Sequence, residues 1–241
     1  VQIWLGGPEV SYNAEGILAD LPQAAGVMVG EGEETFGELT AEYLAGDGDF
    51  SQIRGLIYRD ERGITHRTGP RPVMDLNRVP FVYEDLKQFE NRILYYESSR
   101  GCPFSCSYCL SSIDKTVRFR DLDLVKKELD FFLENRAPQV KFVDRTFNCK
   151  KSHSMAIWQH ILDHDNGITN FHFEIAADLL GEEELALFAR MRPGLIQLEI
   201  GVQTVNPAVI TEIHRTMDLQ KVREITGRIN RGHNIHQHLD L

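Results

Sequence analysis

Cysteine is scarce in this chain: 4 of 241 residues, alongside 2 Trp and 9 Pro. That is too few for the disulfide framework of a small secreted domain. Gly and Pro follow no short period, which excludes collagen-like and low-complexity architectures. No self-similarity occurs at solenoid spacing. No apolar run approaches the length of a membrane span. The opening VQIWLGGPEV lacks the charged-then-apolar form of a signal peptide. Basic residues are also short, with 26 Lys and Arg against 36 Asp and Glu, a net charge of −10. Binding duplex nucleic acid rests on neutralising phosphates, so a broad face for it is not expected. An acidic, signal-free chain points to a reducing, cytoplasmic setting.

What remains is ordinary globular composition, 42% hydrophobic and 26% charged. Such a chain folds. Its length suits one or two domains and buries roughly 70% of the unfolded surface. It starts at Val1 and stops at HLDL, inside a strand-like run. Both ends read as internal, so a piece of a longer polypeptide is expected.

The first piece covers 1–46. Apolar Val1–Leu5 stops at Gly6-Gly7-Pro8, a short helix follows over Glu15–Leu21, and apolar Gly26–Val29 stops at Gly30-Glu31-Gly32. Phe36, Leu39 and Tyr43 then recur at helical spacing, and Gly46 suits a helix stop. Strand, glycine turn and helix, repeated, suggest part of a Rossmann-like unit. Residues 47–92 read as a connector, with Gly55–Arg59 and Ile64–Thr68 flanking a turn as a β-hairpin.

From residue 93 to 241, βα units repeat. Strands are expected at Ile93–Glu97, Val140–Val143, Phe171–Ile175, Leu195–Ile200 and Ile235–Leu241, with helices between them. Ser152 is a candidate cap for the helix carrying Trp158, and Asn206-Pro207 opens another. Such repeats give an α/β fold with a parallel sheet, open or curled into a barrel. Chemistry in these folds sits at the C-terminal strand ends.

Three of the four Cys fall in one loop after the first of these strands: Cys102, Cys106 and Cys109. Thiolates this close suit a soft metal centre. Structural zinc takes four ligands, usually as two separated pairs. Three Cys on a 4Fe–4S cluster leave one iron open for substrate or cofactor. A small zinc loop, or three unrelated thiols, remain alternatives.

The spacing C-x-x-x-C-x-x-C after a first strand resembles the radical S-adenosylmethionine (SAM) enzymes. The resemblance covers Tyr95 to Leu241 and implies a truncated (βα)6-type partial TIM barrel, cut at the fifth strand. It implies a 4Fe–4S cluster on Cys102, Cys106 and Cys109, with Tyr108 beside the adenine of SAM. One electron from the cluster would cleave SAM to a 5′-deoxyadenosyl radical that abstracts hydrogen from a substrate. Asp144, in Val143-Asp144-Arg145-Thr146, falls where the family places a motif near the SAM amino group. Glu174 resembles the carboxylate of oxygen-independent coproporphyrinogen oxidases. Gln203 and Arg215 resemble that group's ribose and carboxylate contacts, and an Arg fork suits a carboxylate. Asp240 is a weaker candidate. Cys149 reads as a small buried hydrophobe, and His236 and His238 as neighbours on one strand face.

The first piece is similar to the end of the cobalamin-binding domain that precedes many radical SAM cores. Gly6 and Gly7 would there allow the cobalamin tail close backbone approach. The histidine-bearing D-x-H-x-x-G loop of that class would precede Val1, and some members lack that histidine or have lost cobalamin altogether. The resemblance further implies an external reductant such as flavodoxin or ferredoxin. The substrate would be a small molecule or peptide, and the reaction methylation, cyclisation or rearrangement. The truncated chain itself need not be active. Methylthiotransferases are disfavoured, because no Cys precedes Cys102. The competing expectation is a non-enzymatic iron–sulfur or zinc module for redox or sensing.

Overall fold

The computed structural model describes residues 2–46, 48–113 and 116–241; Val1 and Asp47, which open two of the expected segments, lie outside them. The chain divides into two units, Val1–Val79 and Pro80–Leu241.

In the first unit, β1 (Ile3–Leu5) and β2 (Ala24–Met28) run parallel, with α1 (Pro8–Ser11) and α2 (Ala14–Asp20) between them. α2 buries Ala14 and Leu18 against Val27. Gly7 caps α1 at φ 106, a left-handed value that a side chain resists. The Ser11 hydroxyl donates to the Gly7 carbonyl (2.8 Å) and accepts from the Gly30 N–H (3.1 Å). The glycine turns after β1 and β2 are thereby tied side by side.

α3 (Gly32–Ala45) stops at Gly46, as expected. Its expected apolar stripe is corrected. Leu39 is buried, but Phe36 and Tyr43 are exposed, and Thr35 takes the inner position. Thr35 is held there because its hydroxyl accepts from Arg71 Nε at 2.7 Å. Tyr43 packs instead against Trp4 and Phe50.

The expected connector is divided. β3 (Leu56–Arg59) and β4 (Thr65–Arg67) form the hairpin, but β3 pairs antiparallel with β2 and completes a sheet of order β1-β2-β3-β4. Burial of Ile57 with Leu18 and Val27 drives this union. Residues 80–92 fall in the second unit, whose core is covered by Phe81, Tyr83, Leu86 and Phe89.

The second unit runs β5 (Leu94–Tyr96), β6 (Ser99–Arg100), β7 (Arg118–Phe119), α4 (Leu122–Glu134), β8 (Gln139–Phe142), α5 (Lys151–Asp163), β9 (Asn170–Ile175), α6 (Glu182–Phe188), β10 (Ile196–Gly201), α7 (Pro207–Glu212), α8 (Leu219–Gly232) and β11 (His236–Asp240). The main sheet has the order β5-β8-β9-β10-β11, parallel throughout. Each strand adds beyond the last. A doubly wound sheet reverses direction at a switch point, and a barrel does not. The α/β partial-barrel expectation therefore stands.

Period-two alternation divides the two faces of this sheet. Val140, Phe142, Phe171, Phe173, Ile196 and Leu198 are fully buried. Between them Lys141, Glu174, Gln197 and Glu199 stay partly open. Aromatic rings fill the covered side, with Phe147 and Phe173 centroids 4.4 Å apart and Trp158 and Phe188 4.8 Å apart. Truncating Trp158 to Ala would cost about 3–5 kcal/mol.

Asn206 and Pro207 open α7 as expected. Ser152 does not cap α5. A 3-10 turn over Phe147–Cys149 runs straight into the helix, so Lys150 is the capping residue. The Lys150 carbonyl accepts from the His153 and Ser154 N–H groups at 3.0 and 3.1 Å.

Candidate cluster and cofactor site

The cysteine loop grows out of β6. It is closed by a short antiparallel pairing in which Ser99 faces Phe119 and Arg100 faces Arg118. Gly101 opens the loop at φ 101, and a Cβ there would run into the Thr116 carbonyl. Only glycine fits both constraints. The Cys109 N–H donates to the Cys106 carbonyl at 3.1 Å, curling the thiols together. The Ser107 N–H donates to Ile213 O at 2.9 Å, which ties the loop to the segment after α7.

All three thiols line one cavity of about 210 Å³. Cys106 is buried, and Cys102 and Cys109 are half-buried. Three thiols converging on one cavity suit a soft metal centre.

Tyr108, Glu174, Gln203, Arg215 and Asp240 line the same cavity. Arg215 is aimed by His214, which adopts a left-handed φ of 52, and by its own N–H donating to Ile210 O at 3.1 Å. Its guanidinium reaches back over the loop. Nη1 donates to the Tyr108 hydroxyl at 3.1 Å and lies 3.8 Å from Cys106 Sγ, while Nη2 donates to the Gly201 carbonyl. Nε is buried with no hydrogen-bond partner among the described residues. An unpaired buried donor on a cation suits an anionic ligand. Gln203 sits in a left-handed turn at φ 68. The turn is pinned because the Val202 and Gln203 N–H groups both donate to the Asp240 carbonyl at 2.8 Å. The Asp240 carboxylate accepts from His238 Nε2 at 2.8 Å, and His238 is exposed.

Asp144 is a correction. It is fully buried and does not line the cavity. Its carboxylate accepts from the Ser98 N–H (3.0 Å), the Ser98 hydroxyl (2.7 Å) and the Ser99 hydroxyl (2.5 Å). It braces the strand that leads into the cysteine loop. The neighbouring Arg145 and Thr146 face the cavity instead, with Thr146 Oγ1 3.6 Å from Cys102 Sγ. Burial pushes the Asp144 carboxyl up to about 6, against those hydrogen bonds. Cys149 does not line the cavity, and burial, aided by Cys102, pushes its thiol up to about 11. Gly6 and Gly7 lie in the first unit, between β1 and α1.

Two residues escaped the reading of the sequence. Glu199 lines the cavity, and Lys141 lies 2.9 Å from Glu199 Oε2 and 3.6 Å from Glu174 Oε1. Burial, with the charge of Glu199, raises the Glu174 carboxyl above its usual range despite Lys141. Burial works the same way on Glu199, but the Lys141 hydrogen bond together with the charges of Lys141, His172 and His238 outweighs it and lowers that carboxyl. The signal was there to find: a polar or charged residue at every second place in an otherwise apolar strand, as in Gln139 and Lys141 or Gln197 and Glu199, marks a face turned to a polar interior.

Among the described residues, no helix is long and apolar enough to cross a membrane. The chain is 30% identical over 167 residues to an uncharacterized methyltransferase of Pyrococcus horikoshii, covering 65% of this chain and 36% of that protein. In fold it is similar to the cobalamin-dependent S-adenosylmethionine radical enzyme OxsB, solved with aqua-cobalamin and S-adenosylmethionine bound (TM-score 0.76, 19% identity, 98% of this chain and 36% of that one). It is equally similar to the radical S-adenosylmethionine methyltransferase TsrM of Kitasatospora setae (TM-score 0.76, 18% identity, 99% of this chain and 49% of that one). The chain thus spans about a third to a half of the length of these proteins. The family model of the radical SAM superfamily matches residues 96–236, from the last residue of β5 into β11, and takes in the whole cysteine loop. The chain belongs to the radical SAM superfamily, enzymes that use a 4Fe–4S cluster and S-adenosylmethionine.

Proposed function

We propose that this chain is the catalytic core of a cytoplasmic, cobalamin-class radical SAM enzyme that methylates, cyclises or rearranges a small molecule or peptide. One observation carries the reading. The thiols of Cys102, Cys106 and Cys109 converge with Arg215 and Gln203 on a single strand-end cavity.

The three thiolates would hold the cluster and leave one iron for SAM. When bound, the cluster supplies the electron that cleaves a sulfur–carbon bond of SAM and so yields a 5′-deoxyadenosyl radical. The protein's own groups bind and orient. Arg215, anchored through both Nη atoms, offers its unpartnered Nε to the SAM carboxylate. Gln203, fixed by its turn, suits a ribose hydroxyl, and the Tyr108 ring suits the adenine. Glu174 is the nearest reading for a partner of the SAM amino group, since Asp144 is turned away. Asp144 acts through Ser98 and Ser99 on the course of the cysteine loop. The electron comes from outside the chain, and a flavodoxin or ferredoxin suits that role.

Cobalamin enters through the first unit. Ser11 ties the Gly7 and Gly30 turns together at the ends of parallel strands. A Cβ added at either glycine would meet nothing within 4 Å, so the space over both turns is open. Gly6 and Gly7 would lie against the cofactor tail. OxsB and TsrM were both solved with cobalamin, which supports the same class here.

Anaerobic cluster reconstitution followed by reduction with SAM tests the reading. Formation of 5′-deoxyadenosine supports it. A reducible cluster that leaves SAM intact favours a redox module instead, although such a module has no use for Arg215 and Gln203.

A further inference from the structure

A second group of ligating side chains lies in the helix layer, and none of its members lines the cavity. Asp130 comes from α4, His160 from α5, and His164 directly follows α5. His160 and His164 are four residues apart, so they share one helix face. Their ring centroids are 4.0 Å apart. Asp130 Oδ1 lies 2.7 Å from His160 Nε2 and 2.8 Å from His164 Nδ1. One ligand atom from each residue falls within a 4.8 Å group. The His160 side chain is 10% exposed, Asp130 35% and His164 49%, so the group is walled on one side and open to water on the other.

We propose that Asp130, His160 and His164 form a site for a divalent transition-metal ion of the zinc class, bridging α4 and α5. Two imidazoles and a carboxylate suit Zn2+, Co2+ or Ni2+, whereas Mg2+ and Ca2+ prefer all-oxygen sets. Tetrahedral bonds of about 2.0–2.2 Å would set the donors about 3.4 Å apart. The present 2.7 and 2.8 Å separations need to widen by well under 1 Å. Water would complete the coordination from the open side. The ion would clamp two helices and take no part in SAM cleavage, so this site stands or falls independently of the proposed activity.

The test is Zn2+ titration of the chelator-washed, cluster-loaded chain by calorimetry, with Asp130→Asn and His164→Ala as comparators. Both variants keep all four Cys, so zinc taken by thiols is common to all three proteins. The expected result is one equivalent bound at micromolar Kd or tighter in the parent, weakened at least tenfold in each variant. At 100-fold excess over Kd, zinc should raise the parent Tm by roughly 5 °C. Neither variant should show that rise. His164 is half-exposed, so its truncation keeps the fold even if Asp130→Asn does not. Equal zinc affinity and equal Tm shift in parent and His164→Ala would overturn the site, as would a parent that binds no zinc outside its thiols.

Discussion

Lys141 on β8 reaches across β9 to set its ammonium 2.9 Å from Glu199 on β10. Glu174, on the strand between, holds the same ammonium at 3.6 Å. One cation thus serves two carboxylates on the inner face of the sheet. Burial disfavours the Lys141 ammonium, yet Glu199 and then Glu174 outweigh it and raise its pKa.

Replacing Lys141 by Met leaves Glu174 and Glu199 side by side without their shared ammonium, with Arg145 acting on Glu174 and the His172 and His238 imidazoles on Glu199. Both carboxyls should then titrate higher than they do now. A carboxyl raised by its surroundings favours the fold while protonated and opposes it once ionised, so the loss grows as pH climbs past the usual carboxylate range. The pair is partly solvent-screened, so about 1–2 kcal/mol at pH 8 is expected, with less at pH 5. Thermal unfolding at the two pH values measures this. An equal loss at both would exclude the electrostatic account.

Arg215 offers a different readout. Its contact with Cys106 is 3.8 Å from sulfur and is not a metal bond. Arg215→Ala should therefore leave iron content unchanged while weakening SAM binding by roughly 2–4 kcal/mol, the range for losing one partner of a desolvated charge pair. Arg215→Lys should recover only part of this, because an ammonium is a point charge without the planar fork whose separate nitrogens reach Gly201, Tyr108 and a carboxylate. Equilibrium binding of SAM to the reconstituted protein decides it. Unaltered affinity in Arg215→Ala would remove Arg215 from the SAM site.

Much of this arrangement could be read from residue order alone. The run Cys102 to Cys109 after a strand is local, and its place on the rim follows from βα repetition. The same holds for Gln203 and Arg215, which bracket one short helix. What escaped depends on where a side chain turns. Asp144 at a strand end reads the same whether it faces a cavity or folds inward onto Ser98 and Ser99. Lys141 in Val-Lys-Phe reads as a solvated strand residue until β10 brings Glu199 beside it, 58 residues on. On α3, periodicity favoured Phe36 over Thr35, but the Arg71 hydrogen bond, from 36 residues away, chose Thr35 for the inside. Local pattern fixes elements, whereas these three outcomes were set by distant polar partners.

Cys102→Ala should abolish the brown cluster absorbance and reduce bound iron, since two thiols cannot hold what three do. The fold should persist. The loop is also held by the β6–β7 pairing and by Ser107 bonding to Ile213 O, neither of which involves the cluster. Iron analysis with far-UV circular dichroism separates the two effects. Unchanged iron would mean that Cys102 is not a ligand.

Asp144 makes a prediction in which the direction of the pH effect is the test. Burial lifts its carboxyl from an ordinary 3.8 to about 6, even though Ser99 and Ser98 donate to it. The folded state therefore binds this proton more tightly than the unfolded state does. The stabilisation from the raised pKa is complete below about pH 4 and is lost as pH rises through about 6. Asp144→Asn cannot ionise, so it escapes that loss. It carries instead a pH-independent cost, because an amide nitrogen must face one of the serine donors. The Tm of Asp144→Asn minus that of the parent should accordingly increase between pH 4 and 7, whatever its starting value. Thermal scans of both proteins at unit pH steps measure the difference. A difference that stays flat would mean that the carboxylate is already ionised at pH 4, with its hydrogen bonds outweighing burial.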